Sequence, residues 1–123
     1  MRIYHNANCG TSRTVLGMIR EAGIEPEIVE YLKTPPDRDH LSALFSKLGL
    51  KPRDMLRRKG TTLETLGMDE AKMSDAAILD AIVSHPILLE RPIVVEGDIA
   101  RICRPADRVK RFLSAEDHSP PEG

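Results

Sequence analysis

Two thiols stand in this chain, Cys9 and Cys103, and their settings differ. Cys9 closes the loop-type run Asn6-Ala7-Asn8-Cys9-Gly10, between the β-prone Arg2-Ile3-Tyr4-His5 and a segment of helical apolar spacing. A thiol at a helix N-terminus is stabilised as thiolate by backbone N–H groups and the helix dipole, which can bring its pKa from about 8.5 to about 3.5–7.5. Such a cysteine is nucleophilic at neutral pH. Gly10 lets the backbone come close to a ligand, and Thr11 and Ser12 offer hydroxyl donors to the thiolate or to a bound oxyanion. His5, which ends the strand, can shift the thiol equilibrium by charge or hydrogen bonding. The alternative is an inert Cys9 and a His5 satisfied within the strand, since an intracellular cysteine is commonly core filler. Cys103, at the end of a predicted strand, reads as such a small core residue.

Spacing removes one chemistry. A phosphatase-type anion loop needs Cys-x5-Arg, but Val15 follows Cys9 at that distance and Val109 follows Cys103. An oxyanion near Cys9 therefore recruits arginines from elsewhere, and Arg57, Arg91 and Arg104 are the candidates. Guanidinium forks match tetrahedral oxyanions with paired hydrogen bonds and keep their charge. Taken singly, each reads as a solvated surface arginine. Ser12 stands where a Cys-x-x-Cys motif would carry its resolving thiol, so an oxidised or loaded Cys9 is released by an outside thiol.

The elements that position these groups follow from periodicity and caps. Val15, Leu16, Ile19 and Ala22 with Gly23 predict a helix over about residues 12–22, and Glu27-Ile28-Val29-Glu30-Tyr31 a second strand, parallel to the first by a right-handed crossover. Asp37 is an N-cap for a helix with Leu41, Leu44, Phe45 and Leu48 on one face, closed by Gly49. Between Lys51 and Met73 the pattern weakens to short turns around the basic loop Arg57-Arg58-Lys59-Gly60. Ser74 caps a helix carrying Ile78, Ala81 and Ile82, which His85-Pro86 ends. Gly97-Asp98 links Ile93–Glu96 and Ile99–Ile102 into an antiparallel hairpin. Pro105 is expected at the first position of a closing helix with Val109, Phe112 and Leu113 on its apolar side. Residues 114–123 are polar and proline-containing, the composition of a disordered tail.

This order, β-α-β, helices, β-β-α, is that of a thioredoxin-like α/β fold with a mixed four-stranded sheet. The helical insertion spans about residues 37–85 of a single domain over 1–113. In that architecture the first strand delivers a thiol to the following helix, where Cys9 stands. A cis-proline beside the thiol falls at Pro92, and if that bond is cis, Arg91 faces Cys9.

With 123 residues, 41% hydrophobic, 30% charged and a formal net charge of −1, the chain reads as one soluble domain with a core that needs neither disulfides nor a structural metal. Near-neutral charge disfavours a nucleic-acid binder, and four aromatics disfavour base-stacking platforms. There is no apolar run of about 18 residues and no signal-peptide stretch at Met1-Arg2-Ile3, so a cytoplasmic setting is expected.

Several separated motifs agree in one register with a known family. The runs Tyr4-His5-Asn6-Ala7-Asn8-Cys9-Gly10-Thr11-Ser12-Arg13, Tyr31-Leu32-Lys33-Thr34-Pro35-Pro36, Leu56-Arg57-Arg58-Lys59, His85-Pro86-Ile87-Leu88, Arg91-Pro92-Ile93-Val94-Val95 and Cys103-Arg104-Pro105 resemble the glutaredoxin-dependent arsenate reductases, over about residues 2–113. The resemblance implies reduction of arsenate to arsenite, with Cys9 as nucleophile, His5 helping to activate it, and Arg57, Arg91 and Arg104 binding the oxyanion. It further implies glutathione as co-substrate, glutaredoxin as partner, no tightly bound cofactor or metal, and a monomer. Ala7 departs from the family, where many members have Pro. Two other readings share features: Cys9-Gly10-Thr11-Ser12 loosely resembles the Cys-Gly-x-Ser of monothiol glutaredoxins that bind iron–sulfur clusters with glutathione. The fold is also that of RNA-polymerase-binding redox regulators, whose sensing members carry a Cys-x-x-Cys that Ser12 breaks.

Overall fold

A computed structural model describes residues 1–113; the expectation of a disordered tail over 114–123 lies outside them. The described residues form two compact units, one from residues 1–30 and the chain from Arg91 onward, the other from Tyr31–Glu90.

The first unit is built on a four-stranded sheet of order β2-β1-β3-β4, with strands β1 (Arg2–Tyr4), β2 (Glu27–Val29), β3 (Ile93–Glu96) and β4 (Ile99–Ile102). β1 runs parallel to β2, Ile3 opposite Ile28, and antiparallel to β3, Ile3 opposite Val94. β3 and β4 form the expected hairpin, Glu96 opposite Ile99, turned by a Gly97 at φ 60°, where a side chain would be strained. This is the thioredoxin-like mixed sheet. Helix α1 (Gly10–Glu21) joins β1 to β2 and buries Val15, Leu16 and Ile19 in a core shared with Ile3, Val94, Cys103, Val109 and Phe112. Burial of such side chains, each worth about 1.5–3 kcal/mol, holds α1 against the sheet and thereby fixes the junction that carries Cys9.

Three expectations are corrected. α1 begins at Gly10 rather than about residue 12, because Cys9 is extended (φ −99°, ψ 121°) and its carbonyl already accepts the first helical bond from Arg13 N at 3.0 Å. β2 stops at Val29, short of Tyr31, whose fully buried side chain belongs to the second unit. Pro105 is the N-cap and not the first helical residue: its ψ of 166° is extended, and a 3₁₀ turn (Ala106–Val109) follows, then the single turn α4 (Lys110–Leu113).

The second unit is helical. Asp37 caps α2 (Arg38–Leu48) by accepting from His40 N at 2.8 Å, and Gly49 closes it at φ 72°. Ser74 caps α3 (Asp75–Ser84) by accepting from Ala77 N at 3.1 Å. These helices pack on each other through buried faces that include Leu41, Leu44 and Phe45 and Ile78, Leu79 and Ile82. Between them lie 3₁₀ turns at Pro52–Met55, Glu64–Leu66 and Glu70–Lys72, with another at Pro86–Leu88 after α3. No helix of the described residues is long and apolar enough to cross a membrane.

Candidate active site

The end of β1 and the first turn of α1 assemble a small polar network around Cys9. Asn6 and Cys9 close a turn, Cys9 N donating to Asn6 O at 2.9 Å, and Asn6 Oδ1 accepts from Asn8 N at 2.9 Å. Asn6 is buried in doing so, which its backbone and side-chain hydrogen bonds make tolerable. Arg13 Nη1 donates to the Ala7 carbonyl at 2.9 Å and braces the loop before Cys9. Gly10 opens α1 on the exposed side. A Cβ there would meet only Arg13 Nη2, at an ordinary 3.7 Å, so the protein's own packing does not require glycine at that position. Thr11 is half-buried in the same turn.

Ser12 is fully buried. Its Oγ lies 2.6 Å from His5 Nδ1 and accepts from Asn6 N at 3.1 Å, so the hydroxyl faces the strand end. His5 is 6% exposed, and its pKa is lowered, chiefly by burial, with Arg20 and Arg13 adding to the effect and the Glu30 carboxylate opposing it. That shift favours the uncharged imidazole.

Cys9 is 7% exposed and sits at the N-cap, where its side chain makes no capping hydrogen bond. Burial pushes the thiol up, but the backbone N–H of Ser12, the Arg91 guanidinium and then Arg104 outweigh it, and the net shift is below the ordinary thiol value. The Ser12 N–H contact is of the kind that tightens once sulfur carries charge. Arg104 Nη2 donates to Cys9 Sγ at 3.3 Å, and its Nε donates to the Arg91 carbonyl at 3.2 Å. Arg91 is itself buried, 6% exposed, beside the thiol. The peptide bonds Arg91–Pro92 and Arg104–Pro105 are both cis.

The first unit thus brings together Cys9, His5, Asn6, Gly10, Thr11, Ser12, Arg91 and Arg104. Arg57 is in the second unit. There its backbone is held by an isolated bridge between Leu56 and Leu89, by Arg57 N donating to Leu88 O at 2.9 Å and by Glu90 N donating to Met55 O at 2.7 Å. Nearby arginines have other duties: Arg58, next in the basic run, pairs with Glu70, and Arg53, in the preceding 3₁₀ turn, pairs with Asp75 at 3.1 Å. Cys103 is fully buried in the core, and desolvation pushes its thiol up to about 12. Sequence reasoning missed Arg13 as a brace and Glu30 as the carboxylate that faces His5. The adjacency of Arg13 to the loop was the available signal for the first. Among the described residues no group of three His, Cys, Asp or Glu is arranged to hold a metal ion.

An arrangement of one thiol favoured as thiolate and two guanidiniums on it suits attack on an electrophilic oxyanion centre. The chain is 50% identical over 111 residues to an arsenate reductase of Rhizobium meliloti (strain 1021), covering 90% of this chain and 79% of that one. It is 47% identical over 111 residues, with the same coverage, to an arsenate reductase of Escherichia coli (strain K12). The solved structure of an arsenate reductase from Vibrio cholerae superposes with a TM-score of 0.83 at 39% identity, covering 92% of this chain and 98% of that one. The sequence model of the ArsC family matches residues 4–112, and the chain belongs to that family.

Proposed function

We propose that this protein reduces arsenate to arsenite through a covalent Cys9 adduct, drawing electrons from glutathione and glutaredoxin. The observation that carries the reading is the meeting of two guanidiniums on one activated thiol, with Arg104 Nη2 at 3.3 Å from Cys9 Sγ and Arg91 on the same sulfur, in a chain whose relatives are named arsenate reductases. Arg91 and Arg104 bind the oxyanion and offset its charge as the nucleophile approaches, and Arg57 is proposed as a further arginine for the oxyanion.

In the first step the Cys9 thiolate attacks As(V), an S–As bond forms, and one As–O bond breaks with the oxygen leaving as water after protonation. The arsenic stays pentavalent. A glutathione thiol next displaces a second oxygen as water, so that arsenic carries two sulfurs. A glutaredoxin thiolate then attacks the glutathione sulfur: a disulfide forms between the two, and the electron pair of the broken S–As bond stays on arsenic, now As(III). Hydrolysis of the remaining Cys9–As bond releases arsenite and restores the thiol. Ser12, which supplies no second thiol, suits regeneration from outside. His5 supports the nucleophile, and Asn6, Gly10, Thr11 and Ser12 frame its loop. On this reading residues 1–113 work as one domain, a cytoplasmic monomer with no tightly bound cofactor.

A coupled assay with arsenate, glutathione and glutaredoxin, each omitted in turn, tests the scheme. Turnover is expected only when all three are present, lost in Cys9→Ser and largely retained in Cys103→Ser. Turnover that survives in Cys9→Ser would sink the covalent mechanism.

A further inference from the structure

A fully buried hydroxyl in the first turn of α1, on the face that otherwise buries Val15, Leu16 and Ile19, costs stability unless its proton finds an acceptor and its oxygen a donor. Ser12 Oγ has two partners, Asn6 N at 3.1 Å and His5 Nδ1 at 2.6 Å. The Asn6 N–H occupies one lone pair. If His5 were a donor at Nδ1, the second lone pair would be used and the serine proton left to find another acceptor inside the protein. If Ser12 donates to an unprotonated Nδ1, the proton is placed and the imidazole stays neutral, as its buried position favours. The geometry is that of a neutral His5 in the Nε2–H form accepting from Ser12.

Ser12 is also the residue whose backbone N–H favours the Cys9 thiolate. One residue therefore has its side chain tied to the end of β1 and its main chain in the first turn of the helix that Cys9 caps. We propose that Ser12 is a positioning residue: its hydroxyl, donated to His5 Nδ1 and accepting from Asn6 N, locks the first turn of α1 so that the Ser12 N–H is held on Cys9 Sγ. His5 acts on Cys9 through this serine rather than as a charge beside the sulfur. The inference rests on the reading of Cys9 as the nucleophile, but its test does not use arsenate.

The charged groups facing Cys9 are Arg91 and Arg104, and those facing His5 are Glu30, Arg20 and Arg13; the variants below touch none of them. The measurement is the pH midpoint of Cys9 alkylation by iodoacetamide on the full chain, read site by site by mass spectrometry. Ser12→Ala and His5→Ala are each expected to move the midpoint upward by about one pH unit, and the double variant no further than either alone, because both remove the same tether. An unchanged midpoint in Ser12→Ala, or additive shifts in the double variant, overturns the proposal. Independently of whether the variants fold, the ¹⁵N shifts of His5 in the native protein at neutral pH report the tautomer. An unprotonated Nδ1 supports the proposal and a protonated one overturns it. Arsenate turnover by the native protein tests the functional reading separately, so the two can fail apart.

Discussion

The main-chain carbonyl of Arg91 accepts a hydrogen bond from Arg104 Nε at 3.2 Å, so one arginine beside the thiol orients the other. A guanidinium is planar, and fixing its Nε fixes the direction of the whole fork. The remaining edge of Arg104 is thereby aimed, with Nη2 at 3.3 Å from Cys9 Sγ. Arg91 contributes twice: its carbonyl sets Arg104, and its guanidinium joins in lowering the Cys9 pKa.

That relationship separates charge from geometry at position 104. Arg104→Ala removes a cation near the thiol, and since a neighbouring cation favours the thiolate, the Cys9 pKa rises and the acid limb of the activity profile moves to higher pH. Arg104→Lys keeps the charge but has neither Nε nor a fork, so the limb is expected to move less. Both variants are expected to lose about 10²-fold or more in kcat/KM, the scale for loss of one donor to a developing oxyanion. Steady-state kinetics across pH with each variant check this, and equal profiles for native and Arg104→Ala would take Arg104 out of the site.

Cys103 makes an opposite prediction, about stability in alkali. Its thiol is pushed from an ordinary 9.0 up to about 12 by burial, so between those pH values the unfolded chain has lost a proton that the native state retains. The native state binds more protons there, and stability falls as pH rises from about 9 towards 12. Cys103→Ala is expected to be less stable than the native chain near pH 8, by about 1–2 kcal/mol for the cavity, but to lose less on going alkaline. Urea unfolding at a series of pH values checks it; two curves that stay parallel would exclude the buried thiol as the cause.

Much of this fold was legible because its boundaries are written in side chains. Asp37 and Ser74 each cap a helix through their own oxygens, Gly49 takes the left-handed φ that glycine tolerates, and Gly97 turns the hairpin. Where a boundary is written in backbone alone the reading slipped. α1 starts at Gly10 on a cysteine cap whose side chain makes no capping hydrogen bond, and Pro105 stands outside its helix because its ψ is extended, which residue type does not dictate. The site divides similarly. Cys9, Arg91 and Arg104 were legible from their places at element ends, whereas the tie between His5 and Ser12 joins a strand end to a helix turn seven residues on and exists only once α1 has folded back along the sheet. The basic run from Arg57 to Gly60 gave no periodicity, and which of its arginines is committed to an ion pair was set by acids far along the chain, Glu70 for Arg58.

Gly60 offers a test of the arginine in the insertion. It adopts φ +75°, and a Cβ built there would stand 2.9 Å from Arg57 Nη2 and 3.3 Å from its Cζ. The backbone of Arg57 is pinned to Leu88, so the guanidinium, the flexible end, is what gives way. Gly60→Ala is therefore expected to cost about 1–2 kcal/mol of stability through its left-handed φ and, separately, to displace the Arg57 fork. If Arg57 binds the oxyanion as proposed, the KM for arsenate rises severalfold in Gly60→Ala, as it does in Arg57→Ala, while Cys9 alkylation is unaffected in both. In an Arg57→Ala background the added Gly60→Ala change keeps its stability cost and has no further effect on KM, because there is no fork left to displace. Thermal melts and arsenate kinetics on the four proteins decide it, and a KM that is the same in Gly60→Ala and the native chain would dissociate this glycine from substrate binding.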